Sequence, residues 1–135
     1  MLGDHDGVAV VGQSEQLCDV GRRLWQRAYV DGNGGNIAIR VGENIALCTP
    51  TLVSKGFMKP EDMCLVDFEG NQLLGTKRRT SEILMHLQMM KRQPTAVATC
   101  HCHPPYSTAF AVVGQAPAGV VVVPVAGVER SANSV

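Results

Sequence analysis

Apolar residues at Leu17, Val20, Leu24, Trp25 and Ala28 recur in steps of three and four, the spacing of one face of a helix. This predicts a helix that Ser14 can cap at its start and Asp31-Gly32 can end. Residues 1–13 ahead of it are expected as a flexible tail, and His5 within that tail is set aside as a ligand. The pattern then turns to short β-branched runs. IAIR and NIALCT flank a Gly42-Glu43-Asn44 turn, and MCLVDF and QLL flank EGN, so two hairpins are predicted. Between them TPTLVSKGFMKPED reads as a loop, by its two prolines and polar content.

GTKRRTSE is polar loop, and from Ser81 the apolar positions Ile83, Leu84, Leu87 and Met90 resume helical spacing until Pro94 stops it. Thr80 or Ser81 is the expected N-cap. TAVATCH has the composition of a buried strand, PPYSTAFAVVG opens and closes as a helix ending on Gly114, and VVVVPV is expected as one more strand. The order helix, hairpin, hairpin, helix, strand, helix, strand predicts an α/β architecture, a sheet covered by helices and mixed rather than purely parallel. No internal repeat or linker divides it, so residues 1–135 are read as one domain.

Composition narrows the class of ligand. Twelve Lys+Arg balance twelve Asp+Glu, so neither nucleic acid nor an anionic membrane is an expected partner, and a small molecule or another protein is. Lys77, Arg78 and Arg79 form a basic run that reads as a solvated loop. The start lacks the basic and apolar regions of a secretory signal, and no stretch approaches the ~20 apolar residues of a membrane span, so a cytoplasmic location is expected. Five scattered cysteines read as reduced thiols rather than a disulfide framework.

Candidate chemistry gathers in TCHCHPPYSTAF. On an extended strand His101 and His103 share one face while Cys100 and Cys102 share the other, so one metal can take either pair but hardly all four. Two imidazoles at this spacing fit Zn, Fe, Mn or Co, or else cap a strand end with no metal at all. A third ligand is sought in Glu82, at the positive end of a helix, or in His86 one turn later on the same face. DGNGGN, Thr49–Thr51 and Thr80-Ser81 are three candidate anion cradles, although the glycine loop by itself is equally a helix stop and turn. Together these suggest a metal-assisted reaction on a small oxyanion or phosphate.

GGNIAIR, CTPTLVSKGFMKPEDMCLVDFEGN, TSE before a helix, and HCHPPY, in this order and spacing, resemble the class II aldolase/adducin family from about Ser14 to Gln115. The resemblance implies a three-layer α/β/α fold around a mixed, mostly antiparallel sheet, of which this chain is the N-terminal portion, and assembly as a homo-oligomer, usually a tetramer, with sites at subunit interfaces. It assigns metal binding to His101 and His103, with zinc the usual ion. Glu82 becomes the acid/base, able to sit on the metal when no substrate is bound, and Asn36, Thr51, Thr80 and Ser81 hold the substrate phosphate or its oxygens. The implied activity is cleavage of a ketose or ketose phosphate through a metal-stabilised enediolate; an adducin-like binding or assembly module without catalysis is the alternative. Two departures stand out. Leu52 occupies a position that is commonly glycine in phosphate-binding members, which leaves phosphate as the handle open. The third metal histidine of the pattern would lie beyond Val135, and the pattern fades after about Ala118, so a truncated or frameshifted product is expected.

Overall fold

In a computed structural model, described over residues 4–115, three layers form: one long helix, a five-stranded sheet and a second helix. Helix α1 runs Asp4–Gln26. It starts ten residues ahead of the expected cap, so most of the anticipated tail is helical. Val10, one turn before Ser14, extends the apolar stripe and packs against the core. Ser14 lies inside the helix and donates its hydroxyl proton to Val10 O at 2.9 Å, the back-bond by which an internal serine satisfies itself. The helix stops at Gln26 rather than at Asp31-Gly32. Ala28 takes a left-handed conformation (φ 57°), and Tyr29 N–H bonds Leu24 O while Ala28 N–H bonds Trp25 O. That is a Schellman stop built on alanine where glycine is usual.

The strands are β1 Asn36–Gly42, β2 Ile45–Cys48, β3 Cys64–Asp67, β4 Gln72–Leu74 and β5 Ala98–His101, in the order β4-β3-β2-β1-β5. Both predicted hairpins form, the first turning at Glu43-Asn44 with Gly42 kept in the strand. Every pairing among the described residues is antiparallel, so the parallel pair implied by a mixed sheet is not among them. Helix α2 is Ile83–Arg92 and helix α3 is Pro105–Val112. The VVVVPV strand lies outside the described residues.

Alternation along the strands builds two cores. Ala38, Ala46, Cys48, Cys64 and Val66 face α2 and bury against Ile83, Leu87 and Met90. Ile37, Leu47 and Leu65 face the other way, against Leu17 and Cys18 of α1 and against Met58 and Met63. β5 does not fit the expected buried strand. It pairs only with β1 among the described strands, and its residues alternate between exposed and half-buried.

Candidate functional site

Strand register decides which side chains meet. β5 pairs with β1 so that His101 stands opposite Asn36 and Thr99 opposite Ala38. Ala38 faces α2, so Asn36, Thr99 and His101 project to that side too. The residues opening α2 are Glu82 at its N-cap and, one turn on, His86. Three segments distant in sequence thereby bring five polar side chains to one end of the sheet.

The contacts form a chain whose polarity follows from one acceptor-only group. Glu82 Oε2 accepts from Asn36 Nδ2 at 2.5 Å and from His101 Nδ1 at 2.7 Å. Asn36 Oδ1 then faces His86 Nε2 at 2.5 Å, and His86 Nδ1 faces Thr99 Oγ1 at 2.7 Å. Because the carboxylate can only accept, Asn36 must present its amine to it and its carbonyl to His86. His86 is therefore the Nε2–H tautomer, and Thr99 donates its hydroxyl proton to Nδ1. His86 is fully buried. Burial, then the positive field of His101, pushes its pKa down to about 4 against the opposing pull of Glu82, so it is neutral. Burial pushes the Glu82 carboxyl up, but the bonds from Asn36 and His101 outweigh it and hold the group below its ordinary range.

With Nδ1–H spent on Glu82, the neutral form of His101 carries its lone pair at Nε2, and His103 Nε2 stands 3.0 Å from it. Two imidazole nitrogens on one tetrahedral zinc-class ion lie about 3.3 Å apart. The pair fits a common cation, and the carboxylate behind His101 is the partner that fixes a metal-ligating ring. Among the described residues no third His, Cys, Asp or Glu joins them. Glu82, by resemblance an occasional ligand, instead braces His101 through the nitrogen opposite the pair. His86, the other candidate third ligand, is spent on Asn36 and Thr99.

A cavity of about 210 Å³ opens beside the pair, lined by Asn36, Thr51, Thr80, Ser81, Glu82 and both histidines, with Leu52 and Lys55 on its wall. A short ladder assembles the hydroxyl side. Thr51 N–H bonds Arg78 O, and Thr80 N–H bonds Thr49 O. Thr80 is buried and its hydroxyl accepts the Glu82 N–H at 3.3 Å, so it caps α2 from two residues upstream. Thr49 accepts the Ile37 N–H. Arg79 of the basic run is spent on the carbonyls of Gly70 and Thr80. The glycine loop serves close packing. Gly35 has φ +72°, and a Cβ there would stand 2.8 Å from His101 O and 2.5 Å from Val30, so only glycine lets the loop close over the histidine strand. Thr99 and Lys55 were not marked by the sequence patterns; a polar residue amid the apolar TAVATCH was the available signal for the first.

Residues 15–127 match the family profile described as Class II Aldolase and Adducin N-terminal domain. The L-fuculose phosphate aldolase of Methanococcus maripaludis is 42% identical over 92 residues, covering 68% of this chain and 49% of that protein. The 3-oxo-tetronate 4-phosphate decarboxylase of Haemophilus influenzae is 37% identical over 100 residues, covering 74% and 47%. The structure of the L-fuculose 1-phosphate aldolase from Glaciozyma antarctica aligns with a TM-score of 0.74 at 23% identity, covering 82% of this chain and 47% of that one. The chain thus spans about half the length of the curated relatives it matches. No helix among the described residues is long and apolar enough to cross a membrane. With the profile covering most of its length and the three-layer fold in place, the chain belongs to the class II aldolase and adducin N-terminal domain family.

Proposed function

We propose that this chain carries the metal and acid/base half of a lyase site that acts on a phosphorylated ketose by breaking a carbon–carbon bond. The observation that carries this is the convergence of His101 and His103 Nε2 at 3.0 Å with Glu82 behind His101. A divalent cation, zinc by preference, would be held by these two nitrogens and would supply Lewis-acid polarisation of a substrate carbonyl. Water or substrate oxygens would be needed to complete its shell.

The side chains divide the remaining work. Glu82 stands beside the cavity with Oε2 engaged and Oε1 outside that network, placed to take a proton from substrate and return it. Its lowered pKa keeps it ionised, ready as a base rather than as an acid. Asn36 orients the carboxylate and has one amine hydrogen left for substrate. Thr51 and Ser81 offer hydroxyls at the far wall. The bare apolar faces of α3, where Tyr106 and Val112 are each more than four-fifths exposed, support assembly as a homo-oligomer.

The test is metal content by elemental analysis of wild type and the His101→Ala/His103→Ala double variant. About one zinc-class ion per chain, lost in the double variant, is expected, with Cys102→Ser unchanged. Absence of metal from the wild type after reconstitution refutes the reading.

A further inference from the structure

Lys55 is the largest fully buried side chain of the described structure, at 1% exposure. It sits in the loop after β2, clamped against α1 where its own carbonyl approaches Gly21 too closely for any Cβ. Its Nζ donates to the carbonyl of Val53 at 2.7 Å. No ion pair among the described residues includes it. Burial lowers its pKa, and no carboxylate opposes the shift.

Such an arrangement is costly. An ammonium carries three donors and a full charge, and one neutral carbonyl satisfies a third of the donors and none of the charge. Elsewhere among the described residues, Arg22, Arg23, Lys77 and Lys91 find carboxylates at the surface, where water would do. The one lysine withdrawn from water is placed on the wall of the site cavity, beside Thr51, Thr80 and Ser81. Of the carboxylates among the described residues, only Glu82 lines the same cavity, and its Oε2 already holds Asn36 and His101.

Leu52 does not block an anion here. It holds φ 60°, the left-handed backbone that glycine takes with ease, and its side chain is 77% exposed. The loop keeps a glycine-like path, and the leucine leans out at the rim.

We propose that Lys55 is a specificity-determining residue: its buried ammonium is the counter-charge for the phosphate monoester of the substrate, selecting phosphorylated over neutral ketoses. This rests on the sugar-phosphate reading above and names the residue that would enforce it. A phosphate monoester brings a charge of about −1.5 to −2 and three acceptor oxygens at neutral pH, enough to take both free donors and the hydroxyls opposite.

The probe is inorganic phosphate, titrated calorimetrically into the whole purified chain with a chelator present and ionic strength held constant with KCl. Wild type, Lys55→Met and His101→Ala/His103→Ala are compared. Saturable binding is expected for wild type and the histidine variant, weakened tenfold or more in Lys55→Met. Since the histidine variant reports on phosphate without metal, the metal reading can fail while this one stands. If Lys55→Met does not fold, the wild-type Lys55 Hε–Cε NMR signal replaces it, expected to shift saturably with phosphate and not with chloride. Wild type that shows no saturable binding, Lys55→Met that binds as tightly, or a Lys55 signal unmoved by phosphate overturns the proposal.

Discussion

Lowering the pH from 7.5 to 5 should cost the folded chain about 2 kcal/mol through His86 alone. In the folded chain this ring takes a proton only near pH 4, while an ordinary histidine does so near 6.5. Between those values the unfolded chain binds more protons, so stability rises with pH and is fully present above 6.5. By pH 5 the unfolded ring has gained about 1.5 pH units of protonation free energy over the folded one, about 2 kcal/mol at 1.36 kcal/mol per unit. The structural reason is that a second proton would sit on Nδ1, facing Thr99 Oγ1 in a fully buried site. Glu82, whose pKa is lowered, gives up its contribution only below about pH 4.5, beneath this window. The assay is urea unfolding across pH 7.5 to 5 with chelator present, beside His86→Gln. Glutamine keeps an N–H for Asn36 Oδ1 and cannot titrate; it should lose about 1 kcal/mol at pH 7.5 for the Thr99 bond and show a slope flatter by the same 2 kcal/mol. A wild type equally stable at pH 5 and 7.5, or a glutamine variant with the wild-type slope, refutes the reasoning.

Two further outcomes follow from the same geometry. Leu52→Gly should raise the urea midpoint by an amount worth about 0.5–1 kcal/mol, because relief of left-handed strain exceeds the added freedom of the unfolded chain; a lowered midpoint would mean that the leucine makes contacts worth more than its strain. On the lyase reading proposed above, Glu82→Gln should abolish carbon–carbon cleavage yet reduce zinc affinity by only about 10–100-fold with stoichiometry intact, as for a group that braces a ligand; complete loss of zinc would instead make Glu82 a ligand.

Much of this was legible in the chain. Period-two and period-3.6 patterns placed both hairpins and α2 because each of those segments buries a single face. The same logic misjudged β5. TAVATCH is apolar enough for a central strand, yet composition cannot say whether a strand lies in the middle of a sheet or beside one neighbour. The start of α1 was missed because a serine before an apolar stripe looks like a cap, and only the turn preceding it shows that the hydroxyl bonds backward. At the site, His101, His103 and Glu82 were visible as types and spacings. What could not be read was direction: which nitrogen of His101 Glu82 would hold, and that His86 would serve Asn36. The first depends on the β1–β5 register, the second on how α2 packs on β1. Lys55 was invisible because a lysine in a polar loop is ordinarily solvated, and only burial makes it unusual.

The antiparallel register of β5 on β1 also governs the order in which the chain can assemble. The two hairpins close over a few residues each, at small cost in loop entropy. The bonds that tie Thr99 and His101 to His86 and Glu82, 13 and 19 positions apart, wait for β5 to dock on a sheet that already exists. Chemistry is thus assigned to the last seam of the fold. A nascent or partly unfolded chain has its strands before it has its histidines in place, and exposes no competent metal pair until the core is complete. Any ion that bridges His101 and His103 would rivet β5, an edge strand among the described residues, coupling occupancy to that edge rather than to the core.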